Sequence, residues 1–121
     1  MIYLQEEQLK TSIALGKSVE QWLGTQIQAD FTIIKWLRID KEADNSYTVS
    51  YFECFDDGSE DFYDVYEFSS LDPDQPFGLI SSFSSVEDAI IYSTEHYGAS
   101  SAKFIIGGMI QEEYAAYLKN K

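Results

Sequence analysis

Asp30-Phe31-Thr32-Ile33-Ile34-Lys35-Trp36-Leu37-Arg38-Ile39-Asp40 alternates with the two-residue period of an extended chain. Ile33, Leu37 and Ile39 fall on one side, and Ile34, Trp36 and Arg38 on the other. Both sides carry apolar weight, so residues 30–40 read as a strand at the centre of a sheet. Asp44-Asn45-Ser46 supplies turn chemistry, and a second strand follows over Tyr47 to Asp56. Asp57-Gly58 reads as a two-residue hairpin turn, in which both central residues need positive φ. A third strand, Ser59 to Ser69, then pairs back on the second. In that register Tyr47 meets Phe68, Val49 meets Tyr66, Tyr51 meets Asp64 and Glu53 meets Phe62. On the other face Ser50 meets Val65, Phe52 meets Tyr63 and Cys54 meets Asp61. The buried end of the hairpin is expected at Tyr47, Val49, Tyr66 and Phe68.

Working toward the N-terminus, residues 5–23 read as a helix. Leu4, Leu9, Ile13, Leu15, Val19, Trp22 and Leu23 form an apolar arc on a 3.6-residue period, and Gly24 is the expected stop. Toward the C-terminus, Leu71-Asp72-Pro73-Asp74-Gln75-Pro76 reads as a turn. Residues 77–83 read as a fourth strand. Ser84-Ser85-Val86-Glu87 is a capping-box pattern that opens a helix to Tyr97, with Val86, Ala89, Ile90 and Ser93 inward and Gly98 past its end. Lys103-Phe104-Ile105-Ile106 reads as a short strand, broken by Gly107-Gly108. A last helix over Ile110 to Lys119 buries Ile110, Tyr114, Tyr117 and Leu118. The expected fold is one α+β domain over residues 1–121. It has an antiparallel meander sheet of four to five strands, with about three helices packed mainly on one face.

The formal net charge is −13, and its distribution is uneven. Residues 42–102 hold fourteen Asp and Glu and no Lys or Arg. A field of this sign repels phosphate backbones and anionic lipids, which argues against nucleic-acid and membrane-surface binding and favours a basic protein partner. The plain alternative is an acidic surface that keeps the chain in solution. No apolar run reaches the length of a membrane span, and Met1 to Lys10 lacks the charge and apolar pattern of a signal peptide. A cytoplasmic location is therefore expected.

Catalytic patterns are absent. Aligning Gly58 with the glycine of an EF-hand loop puts Phe55, which cannot ligate, at the third position, so that reading fails. Loose divalent coordination by Asp56, Asp57, Glu60 and Asp61 is a weaker alternative. A chain with one His and one Cys cannot build a zinc site from several such ligands. A Cys54–His96 dyad is conceivable, but the acids around Cys54 oppose thiolate formation. His96 reads instead as a cation at a helix C-terminus. Gly107-Gly108 lacks the spacing of a phosphate-binding loop and reads as a tight turn. No cofactor is expected.

The favoured expectation is a non-enzymatic acidic binding protein. Small acidic inhibitors and toxin-immunity proteins are similar to it in size and charge, though no motif carries that likeness. Asp56, Asp57, Glu60, Asp61 and Asp64 would steer a basic partner, and Phe55, Phe62 and Tyr63 would anchor it. One alternative is a small-ligand-binding or enzymatic domain with a pocket between sheet and helices, near Tyr47, Tyr51, Tyr66 and His96. Another is a structural subunit of a homo-oligomer that uses Trp36 or the last helix.

Overall fold

The computed structural model describes residues 3–75 and 77–120. Its order is α1 (Glu6–Ala14), β1 (Val19–Gln28), β2 (Phe31–Lys41), β3 (Tyr47–Phe55), a 3₁₀ turn at Val65–Glu67, β4 (Leu79–Phe83), α2 (Val86–Tyr97), β5 (Ile105–Ile106) and α3 (Ile110–Lys119). The five strands form one antiparallel sheet in the order β4-β3-β2-β1-β5, with the doubly apolar β2 at its centre. This is the α+β meander expected from the alternation.

Because β2 is apolar on both sides, both faces of the sheet are covered. Leu37, Ile39, Val49 and Val19 pack with Leu9 and Ile13 of α1, with Val86, Ala89 and Ile90 of α2, and with Phe104. On the opposite face Ile34, Trp36 and Cys54 pack with Val65, Phe68, and Ile110 and Tyr114 of α3. Two of the three helices thus share one face. Each fully buried side chain of this size contributes about 1.5–3 kcal/mol.

Helix α2 matches its sequence signals closely. Val86, Ala89, Ile90 and Ser93 are its buried residues, and Gly98 follows in the left-handed conformation at φ 72°. The cap is Ser85, whose Oγ accepts from the Asp88 amide at 3.1 Å, so it lies one residue past Ser84. In α3, Ile110 and Tyr114 are buried, while Tyr117 and Leu118 are half-buried against the same cluster.

Two expectations fail. The N-terminal helix does not reach residue 23. It ends near Ala14, and Gly16, at φ 89°, turns the chain out. Residues 19–28 form a strand instead. There Val19 and Gln21 sit opposite Ile39 and Leu37, and Glu20 and Trp22 sit opposite Arg38 and Trp36. A register shift between Trp22 and Gly24 lets Leu23 join the cluster under α1 and α2. The helical arc through Val19, Trp22 and Leu23 was therefore produced by a bulged strand. Gly24, at φ 128°, belongs to that bulge rather than to a helix end.

The third strand of the expected hairpin does not form either. Strand β3 pairs with β4, with Tyr47 opposite Phe83 and Tyr51 opposite Leu79. None of the pairs expected between residues 47–54 and 61–68 exists. Gly58 does not adopt a positive φ. Its role is close approach: a Cβ there would lie 2.5 Å from Phe68 Cζ and from the Tyr114 hydroxyl, and 2.6 Å from the Phe62 carbonyl oxygen. Residues 56–70 leave the sheet as an irregular excursion across the α3 face. Val65 and Phe68 are its buried anchors, spaced for a 3₁₀ turn rather than for a strand. The chain returns where Ser70 bridges Cys54. Within the turn expected at residues 71–76, the Asp74 amide donates to the Asp72 carboxylate at 2.9 Å and the Gln75 amide to the Asp72 carbonyl at 3.0 Å. Pro76 lies outside the described residues.

Candidate functional site

The excursion has two walls. Its inner wall faces the sheet over a cleft of about 260 Å³, floored by Trp36 and Phe52 and rimmed by Tyr66, Phe68 and Phe77. Trp36 stacks on Phe52 at 4.2 Å, and Tyr66 meets Trp36 edge-on at 5.5 Å. Its outer wall carries most of the residues expected to bind a partner. Asp57, Glu60, Asp61, Phe62, Tyr63 and Asp64 are exposed, and Asp56 and Phe55 are half-buried. Phe62 keeps 41% and Tyr63 43% of their surface in solvent.

The eight residues do not act alike. Asp56 accepts the Tyr114 hydroxyl at 2.5 Å, and Asp57 accepts the Ser69 amide at 2.7 Å. Both tie the excursion to the body of the protein. Phe55 packs edge-on against Phe31 at 5.2 Å, near the base of the excursion. Glu60, Asp61, Asp64, Phe62 and Tyr63 are left as the displayed set. The ion pairs seen among the described residues run from Arg38 to Glu20 and Asp40, at the other end of the cleft. Among the described residues no three His, Cys, Asp or Glu side chains converge as metal ligands would.

At that other end lies a group that sequence reasoning missed. Glu20 is fully buried at the N-terminus of α3. Its Oε1 accepts the Gly108 amide at 3.0 Å, the Ile110 amide at 3.2 Å and the Tyr66 hydroxyl at 2.7 Å. Its Oε2 accepts from Arg38 Nη1 at 3.3 Å. Arg38 reaches on from Nε to Asp40 at 3.1 Å, and from Nη2 to Ser18 Oγ at 3.0 Å. Met109, the residue before α3, supplies no side-chain cap, so Glu20 does that work from the strand beneath the helix. Burial raises the Glu20 pKa above its ordinary value, and the hydrogen bond from Tyr66, the two amides and the Arg38 charge oppose that shift. Burial, then the bond to Glu20, pushes the Tyr66 phenol far up. Because Glu20 uses the Gly108 and Ile110 amides, the Gly107-Gly108 turn has none of them to offer a phosphate.

The other sequence candidates separate in space. Cys54 and His96 lie on opposite faces of the sheet, so no dyad exists. The Cys54 thiol is pushed up to about 12 by burial, then by Asp57 and Asp56. His96 stacks on Tyr92 at 4.8 Å, and Tyr51 stacks on Tyr97 at 4.2 Å. These sit on the α2 face, whereas Tyr66 is on the α3 face, so Tyr47, Tyr51, Tyr66 and His96 enclose no common pocket. Trp36 is 4% exposed, which leaves it no surface for self-assembly. Among the described residues no helix is long and apolar enough to cross a membrane. No protein-family model, curated protein or solved structure matches this chain.

Proposed function

We propose that this chain is a non-enzymatic binding protein that recognises a basic protein partner through the outer wall of the 56–70 excursion. The observation that carries the reading is the display of Glu60, Asp61 and Asp64 beside the solvent-exposed rings of Phe62 and Tyr63, on a stretch without a single Lys or Arg. Carboxylates there attract a cationic surface over a distance, and the rings supply contact area once it arrives. Asp56 and Asp57 hold the excursion in place rather than greet the partner. The negative field disfavours nucleic acid as the partner. The single buried, unpaired Cys54 agrees with a reducing, cytoplasmic setting.

The test is capture from native lysate on immobilised protein at low and high salt, with a Glu60→Lys/Asp61→Lys/Asp64→Lys variant in parallel. Basic proteins are expected to be retained at low salt, released as the Debye length shrinks from about 10 Å at 0.1 M to about 3 Å at 1 M, and lost from the variant. The same proteins retained by the variant, or retained without regard to salt, would refute the reading.

A further inference from the structure

Strand β4 is the outer strand of the sheet on the side away from β5. Natural sheets blunt such edges with charged side chains, prolines, bulges or very short strands. The opposite edge follows that rule, because β5 is two residues long and β1 carries the bulge at Trp22/Gly24. Further along it, the Gln21 side chain pairs both ways with the Ser100 backbone at 2.8 Å. Strand β4 follows none of it. Its sequence is Leu79-Ile80-Ser81-Ser82-Phe83, it pairs with β3 without a register shift, and no ionisable residue occurs from Gln75 to Val86. Leu79 is 46% exposed, Ile80 58% and Phe77 76%. The register puts Ile80 with Ser50 on the cleft face and Leu79 with Tyr51 on the α2 face. An added strand therefore finds apolar surface on both sides of its pleat.

Charge says what that strand must be. Asp72 and Asp74 are exposed just before the neutral strip, and Glu87 and Asp88 are exposed just after it. A second copy of this chain would bring carboxylates against carboxylates at both ends. An antiparallel pair sets Asp74 toward Glu87 and Asp88, and a parallel pair sets each acid beside itself. A segment with cationic ends meets opposite charge at both ends in either direction.

We infer that the outer edge of β4 accepts an extended peptide segment of the partner as a sixth strand, with a β-branched or apolar middle and lysine or arginine at both ends. This rests on the preceding reading only for the sign of the partner's charge, and it uses a different surface.

The test is a titration of the full isotope-labelled protein, followed by amide chemical shifts. The probe is a synthetic peptide of about nine residues, alternating valine and threonine with paired lysines at each end. Shifts are expected over Leu79–Phe83 and at the flanking acids. Glutamates in place of the lysines should weaken binding by about tenfold or more. N-methylation of alternate central amides, on whichever register faces the protein, should abolish it, and Ile80→Lys should weaken it with the unfolding midpoint unchanged. The Glu60→Lys/Asp61→Lys/Asp64→Lys variant should bind the peptide as the parent does, so failure of the excursion reading leaves this one standing. The inference is overturned by an absence of shifts up to about 2 mM peptide. It is equally overturned by shifts confined to residues 56–67, by undiminished binding of both N-methylated registers, or by a free protein already dimeric through β4.

Discussion

Replacing Glu20 tests how the α3 face is held together. In Glu20→Ala the Ile110 amide, which is buried, loses its acceptor, while the amide of the exposed Gly108 can turn to water. An orphaned buried donor costs about 1–3 kcal/mol. Arg38 is not stranded, because Asp40 and Ser18 still bind it, and the Tyr66 hydroxyl can turn to water. The expected loss is therefore about 1–3 kcal/mol, a large share of the roughly 5–15 kcal/mol typical of a domain. In a urea titration at pH 7 that is a fall of about 1 M in the midpoint. Glu20→Gln keeps an acceptor for both amides but turns an NH₂ group toward either Arg38 or Tyr66, so it should lose about 1–2 kcal/mol. The pH dependence has a definite sign. Burial sets the folded pKa above the ordinary value of 4.5, so the protonation-linked stability of Glu20 is complete below 4.5 and is lost as pH rises through the folded value. The gap between the parent and Glu20→Gln should accordingly be wider at pH 5 than at pH 8. A Glu20→Ala variant within about 0.5 kcal/mol of the parent at pH 7 would refute the capping role.

Gly58→Ala must push against Phe68, the Tyr114 hydroxyl and the Phe62 backbone, and should cost about 1–3 kcal/mol by thermal melting; an unchanged melt would show that the excursion yields freely. Cys54 should resist a thiol reagent at pH 8 in the native protein and react at once in urea, because its thiol is buried and held near 12; rapid native labelling would contradict that burial. Burial first, then Glu20 and Asp56 respectively, raises the phenols of Tyr66 and Tyr114 above their ordinary value of 10. The stability tied to their protonation is present below pH 10 and lost above it, so alkaline unfolding should be less steep with pH in Tyr66→Phe and Tyr114→Phe than in the parent.

What the sequence displayed was what local chemistry can encode. Helix α2 was legible because its apolar stripe, its serine cap and Gly98 all lie within one short stretch. Strands β2 and β3 were legible because two-residue alternation in Ile, Val, Trp and Tyr has few rival readings. Strand β1 was hidden because its bulge gives Val19, Trp22 and Leu23 a spacing that also fits a helix. The partner of β3 was hidden because Asp57-Gly58 carries turn chemistry, while the glycine actually answers to crowding by Phe68 and Tyr114, which lie distant in sequence. Glu20 fell within the expected helix of residues 5–23, where nothing set it apart. A signal existed once 19–28 is read as a strand against β2, since Glu20 then stands opposite Arg38 and an ion pair follows. The expected binding residues Glu60, Asp61 and Asp64 were legible as exposed because carboxylates interrupt every apolar pattern, and Phe62 and Tyr63 were expected beside them only as anchors. That Asp56 and Asp57 are tethers was not, because their partners come from elsewhere in the chain.

The excursion begins and ends beside one strand, leaving after Phe55 and touching back where Ser70 bridges Cys54. Its two feet are already close, and doubling the length of such a loop costs only about 0.6 kcal/mol in closure entropy. Grafting extra residues at Glu60-Asp61, outside the Val65 and Phe68 anchors, should thus leave the five-stranded platform standing, so the crest of the loop can be rewritten for a different target without redesigning what carries it.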